Sequence, residues 1–335
     1  MEFPVVLIKL NDINNLEDVL HKILNNNNRD AIPERGEWPQ GEPLQKRWRP
    51  ILENVPIDIT ELPFSPQENF RYIYLNAYVE RAKSRVTDVN GAFLERQHRI
   101  NYADENALFF ENNNNVYLAV YRSFSAYAQT KINYILKDLL FAEEWGSLQI
   151  LPEDYDITDD VYYWMLKKVI MEENTICTNP FMKLETFTGY SGGDAVENAH
   201  QVTGEGARIS ALLGTLAFIF GEDSLKSLKM HLNINTTENI LFELFKKGNV
   251  QIFEYEGQRF AGRTYDEEKC LLTLYIYKKI IPDILNSYNE ARDQNNWNAA
   301  IRRDFVHYVG NILIDRVQSE LDDNQEFDNQ IANIQ

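Results

Sequence analysis

The chain has 335 residues, is 44% hydrophobic and 12% aromatic, and carries a formal net charge of -18 from 51 acidic and 33 basic side chains. So many large apolar groups exclude a disordered chain, and so much negative charge repels phosphate backbones at long range. Two cysteines, Cys177 and Cys270, exclude a disulfide framework and any cysteine-ligated zinc site of ordinary spacing.

Nucleic acid is therefore expected as a partner only through a local basic patch or a basic partner protein. The densest basic run is only "QKRWR" at 45–49. The start, "MEFPVVLIKLND", lacks the basic region and small-residue cleavage site of a signal peptide, and "ISALLGTLAFIFG" (209–221) is too short to span a bilayer. The expectation is a cytoplasmic protein with no membrane role. The length favours two domains.

In chain order, "FPVVLIKL" (3–10) predicts a strand, and Leu16, Val19, Leu20, Ile23 and Leu24 predict a helix capped by Asn14 or Asn15. Residues 25–69 hold seven of the eleven prolines and are expected to form a long surface loop. "FRYIYLNAYVE" (70–80) predicts a strand, and 106–122 a hairpin turning at an Asn tract that tolerates positive φ. A helix follows over "AYAQTKINYILKDLLFAEEW", capped by Ser123 or Ser125. A domain boundary is expected near 146–156, giving a mixed domain over 1–150 and a helix-rich α+β domain over 151–322.

The second half opens on a helix at 159–172, with Asp159 and Asp160 at its positive end. A glycine-rich loop (189–206) leads into a helix at about 206–220. "LKSLKMHLNIN" and "NVQIFEYEGQRF" predict strands, while "ENILFELFKK" between them fits helix or strand. Two long helices fill 266–322, the first kinked or broken at Pro282, and 323–335 forms a polar, frayed tail. The fold class expected is α+β, with a small antiparallel sheet in the N-terminal domain and a C-terminal α+β domain ending in two long helices.

Three places carry candidate chemistry. Arg302 and His307 have four residues between them within "IRRDFVHYVG", a spacing that resembles the signature of HEPN-type ribonucleases. The resemblance covers those six positions only. It implies a metal-independent reaction in which the histidine moves protons and the arginine stabilises phosphate charge. On one continuous helix, however, five positions turn about 140°. The apolar stripe Trp297, Ile301, Phe305, Tyr308, Val309 and Ile312 then leaves His307 on the solvated side, with Arg303 sharing its face and Arg302 at the margin. A second copy of the chain would have to bring the pair together.

The second place is the glycine-rich stretch, where Gly204, Gly206 and Arg208 at a helix entry suit an anion or a nucleotide phosphate. It lacks the lysine of a P-loop, and Asp194, Glu197, His200 and Glu205 could instead gather round a metal. The third is "GEWPQGEPLQKRWRP" (36–50), whose Trp38, Trp48 and Arg49 are the residue types that dominate protein interfaces. No cofactor is indicated. The leading expectation is an interaction or regulatory subunit of a larger assembly, binding a protein partner or a second copy. A bacterial or phage setting, including antiviral defence, is a compositional inference from the abundant Asn. The alternatives are a ribonuclease using Arg302 and His307, and an anion or nucleotide binder using 189–206.

Overall fold

A computed structural model describes residues 2–26, 29–33, 37–66, 68–122, 126–150, 152–171, 174–193, 201–205, 213–221 and 224–332. The chain divides into two compact units. The first comprises Phe3–Asp154 and Gly262–Lys278; the second comprises Tyr155–Ala261 and Lys279–Gln335, with Met1–Glu2.

The first unit begins with β1 (Phe3–Leu10), α1 (Leu16–Asn26), β2 (Lys46–Pro50), β3 (Thr60–Ser65) and β4 (Glu68–Ala82). It continues through α2 (Arg96–Arg99), β5 (Ile100–Asn112), β6 (Asn115–Val120), α3 (Ala126–Asp138), α4 (Ala142–Trp145) and β7 (Leu148–Ile150). The strands pair in the order β7-β1-β6-β5-β4, with β2 and β3 side by side along the other edge of β4, all antiparallel. Alternation along β4 sends Ile73, Leu75, Ala77 and Val79 to one face, where α1 and α3 bury Leu16, Val19, Ile23, Ile132 and Ile135 against them and Phe109. Asn15 caps α1, its Oδ1 accepting from the Asp18 amide at 2.8 Å.

The β5–β6 hairpin turns on Asn113 (φ 49°) and Asn114 (φ 60°), two consecutive left-handed residues, as a two-residue primed turn requires. Asparagine tolerates that region better than other residues with a Cβ. Asn114→Gly is therefore expected to retain or raise stability, and Asn114→Val to lower it by about 1 kcal/mol. Urea denaturation of the two variants measures both.

The second unit opens with α5 (Asp159–Met171), β8 (Thr175–Thr178), β9 (Phe181–Gly193), β10 (Gln201–Glu205) and α6 (Leu213–Phe220). β11 (Ser224–Ile234), β12 (Glu238–Phe245) and β13 (Val250–Glu256) complete its sheet. The order is β10-β9-β11-β12-β13, with β8 also on β9, again all antiparallel. α7 (Tyr265–Tyr275) belongs to the first unit; α8 (Ile281–Asp293) and α9 (Ala299–Ala332) belong to the second. α5 packs on β9 and β11 and against α8 and α9, and residues 161–166 are buried on every side. No helix among the described residues is long and apolar enough to cross a membrane.

Several expectations need correction. The sheet is not small and not confined to an N-terminal domain: each unit is built on its own antiparallel strands. Residues 25–69 are not one loop, since β2 and β3 lie within them; Pro50 and Pro63 fall in these edge strands, which tolerate a missing donor. "ENILFELF" resolves as a strand because Ile240, Phe242 and Leu244 alternate inward while Leu241 and Phe245 face outward. Pro282 does not end the helical run. The turn before it, Ile276–Ile280, widens to π geometry, and α8 then starts with proline in its first turn. The expected tail is helical as far as Ala332.

The glycine-rich stretch is not a loop along its whole length. Gly189–Gly193 pairs with Gln201–Glu205 as two antiparallel strands. One of its glycines has a packing reason: a Cβ on Gly192 would collide with the Phe218 ring and come within 2.8 Å of the Ser224 carbonyl oxygen. Gly192→Ala is expected to cost about 1–3 kcal/mol by overpacking α6 against β9, read as a lower urea midpoint at unchanged slope.

Candidate functional site

A polar convergence in the second unit centres on Asp160, in the first turn of α5. Its Oδ2 accepts from the Tyr288 hydroxyl at 2.6 Å and from Trp297 Nε1 at 2.8 Å, and its Oδ1 accepts from Arg302 Nη1 at 3.1 Å. The donors come from α8, from the α8–α9 connection and from the first turns of α9. One carboxylate thus holds three segments in register. Burial alone would raise its pKa, but the Tyr288 and Trp297 hydrogen bonds and the Arg302 charge outweigh burial and hold it below the ordinary carboxylate range. Burial, followed by the neighbouring Asp160, pushes the Tyr288 hydroxyl up to about 12, so it remains a donor.

Around this anchor lies an open cleft of about 700 Å³ lined by Asp160, Tyr288, Arg292, Trp297, Asn298, Ala299, Arg302 and Arg303. The Arg302 guanidinium lies 4.3 Å from the Tyr163 ring centre and Arg292 lies 5.7 Å from that of Tyr288, so flat aromatic supports orient both. Asn298 caps α9, its Oδ1 accepting from the amides of Ala300 (2.9 Å) and Ile301 (3.1 Å). Among the described lining residues Asp160 is the only carboxylate, against three arginines. In a chain of net charge -18 that local excess of positive charge stands out.

The structure places the residues singled out in the sequence as follows. Arg302 faces inward to Asp160, whereas His307 and Arg303 are exposed, so α9 does not bring Arg302 and His307 together within one chain. Gly204 lies in β10, opposite Tyr190, and Gly206 and Arg208 lie outside the described residues, as do Asp194, Glu197 and His200. Trp48 is 3% exposed and packs edge-on against Phe109 at 5.4 Å, inside the first unit's core. Trp38 is half-buried, donates from Nε1 to the Glu42 carbonyl at 2.6 Å, and lies under the Arg99 guanidinium. Arg49 lies over the Tyr78 ring at 3.4 Å. Among the described residues no group of three metal-ligating side chains converges.

Sequence reading found Arg302 but not its partners. Asp160 was legible only as a favourable charge at a helix start and Trp297 only as an apolar-stripe residue, while nothing in the sequence singled out Tyr288. The convergence depends on how α5, α8 and α9 pack, which periodicity along one helix does not encode. Neither a known protein family nor a curated protein matches the chain.

Because the Asp160 carboxyl is held below its unfolded value, its stabilising contribution is present above about pH 4 and is lost as pH falls through the lower folded value. Asp160→Asn is expected to lower stability at neutral pH and to flatten the acid limb of the profile. Urea denaturation from about pH 2 to pH 6 compares the two proteins. An acid limb of the same slope in the variant would show that Asp160 contributes nothing to it.

Proposed function

We propose that the protein binds a compact, multiply charged anion of the phosphate class in the arginine cleft of the second unit. The observation that carries this is the convergence of Arg292, Arg302 and Arg303 on one open cleft whose one carboxylate among the described lining residues already accepts three hydrogen bonds. Arginine suits the task because its planar fork of donors matches phosphate oxygens two at a time. Trp297 and Tyr288 are 2% and 7% exposed, so the cleft offers charge and hydrogen bonds more than a ring to stack on. A ribonuclease built on Arg302 and His307 would need a second copy of the chain. A docking role for 36–50 would need tryptophan surface that Trp48 does not offer. The cleft needs neither.

Titration calorimetry with inorganic pyrophosphate tests this reading. Saturable binding should weaken about tenfold or more when Arg292 and Arg303 are both changed to Ala, since charge-assisted contacts are worth roughly 1.5–3 kcal/mol each. Their positions at the cleft's rim leave the Asp160 anchor in place, so the thermal midpoint should hardly move. Absent binding, or binding indifferent to both substitutions, removes the proposal.

A further inference from the structure

The first unit carries a different concentration of positive charge, apart from the arginine cleft. The unit as a whole holds 19 of the chain's 33 Lys and Arg and 25 of its 51 Asp and Glu, so the concentration is local. Lys83, Arg85 and His98, with Ser84, Leu94 and Asn101, line an open depression of about 590 Å³ with no carboxylate among its described lining residues. It forms where β4 ends at Ala82 and α2 returns the chain to β5. The Lys83 amide donates to the Arg99 carbonyl (2.8 Å), and the Leu94 amide to the Val86 carbonyl (3.0 Å).

The nearby acids all accept hydrogen bonds: exposed Glu95 takes the Gln97 side-chain amide (2.8 Å) and exposed Asp104 that of Asn76 (2.7 Å). Glu80 is buried and takes the Arg96 guanidinium and the Gln45 amide; Asp88 accepts the amides of Asn90 (2.8 Å) and Ala92 (2.9 Å) in its own turn. Lys83 and Arg85 donate to the carbonyls of Gln97 (3.4 Å) and Thr87 (3.2 Å), contacts that leave their charge uncancelled.

From Asn101 in this depression the chain passes directly to Tyr102, which is 52% exposed. Tyr102 stacks on Tyr78 with ring centres 6.2 Å apart and planes at 26°. Arg49 lies over Tyr78 at 3.4 Å, and the Lys131 ammonium lies 5.3 Å from the Tyr102 ring centre. The two braced rings lead to the cationic depression along one face of the sheet: Ala82, in the depression's lining, shares its face of β4 with Tyr78 and with Glu80, the cross-strand partner of Tyr102.

We propose that this surface binds single-stranded nucleic acid, with an unpaired base on Tyr102 and adjoining phosphates in the depression of Lys83, Arg85 and His98. An exposed ring beside uncancelled cations matches a base joined to a phosphate. A duplex offers the phosphates but keeps its base faces stacked internally. The chain's overall negative charge makes the association modest and steeply dependent on salt.

The test is fluorescence anisotropy of a labelled oligothymidylate of about 20 nucleotides, and of the same length as a duplex, at low and at physiological salt. The single strand is expected to bind more tightly than the duplex. Tyr102→Ala should weaken it roughly tenfold while Tyr102→Phe, which keeps the ring, binds like the wild type. Lys83→Ala with Arg85→Ala should weaken binding and reduce its salt dependence. Melting curves confirm that each variant is folded. Arg292→Ala with Arg303→Ala, which tests the other cleft, should leave oligonucleotide binding unchanged. No binding at low salt, equal preference for the duplex, loss through the Arg292/Arg303 pair, or indifference to Tyr102, Lys83 and Arg85 overturns the proposal.

Discussion

The second unit depends on one carboxylate keeping three donors in place. Asp160 sits where the positive end of α5 already favours negative charge, and it receives a phenol, an indole and a guanidinium from segments far along the chain. Removing it would leave three buried or half-buried donors to find other partners, which costs more than the loss of a single hydrogen bond. The same bonds fix the direction of Arg302. Stability and the placement of Arg302 in the cleft are therefore linked through one group, whereas Arg292 and Arg303 carry their charge without touching it.

The first unit solves a different problem. Its sheet has one face committed to an apolar core and the other shared between α7 and open surface. Near α7 that second face is sealed by Phe110, Tyr117 and Tyr277, and by Tyr121, whose hydroxyl donates to Thr273 Oγ1 at 3.1 Å. Towards the ends of β4 and β5 it is left to Asn76, Tyr78, Tyr102 and Asp104. This division between covered and open sheet creates a place where rings can be exposed without weakening the core.

Local signals were legible and long-range ones were not. Asn15 as a cap, the Asn113–Asn114 turn and the strands at 3–10 and 70–80 were readable because each depends on a few neighbouring residues. The extent of the sheet was missed for a physical reason. β2 and β3 lie among prolines, and β12 is apolar on both faces, so neither gives clean alternation. The glycine-rich stretch misled because glycine also marks close packing, as Phe218 against Gly192 demonstrates. Both clefts were invisible for a common reason. Arg292 with Arg302, and Lys83 with His98, are neighbours only after folding, and no basic run announces either.

The prolines of residues 25–69 have a consequence beyond their effect on prediction. Pro50 ends β2 and Pro63 lies within β3, the two strands along the outer side of β4. A proline has no amide hydrogen to offer, and the Lys46 carbonyl on the same border is already taken by the Arg29 amide at 3.1 Å. A neighbouring chain approaching this side in extended form would meet missing donors and an occupied acceptor in place of a regular ladder. Pro50 and Pro63 thus make this border a poor template for edge-to-edge strand pairing.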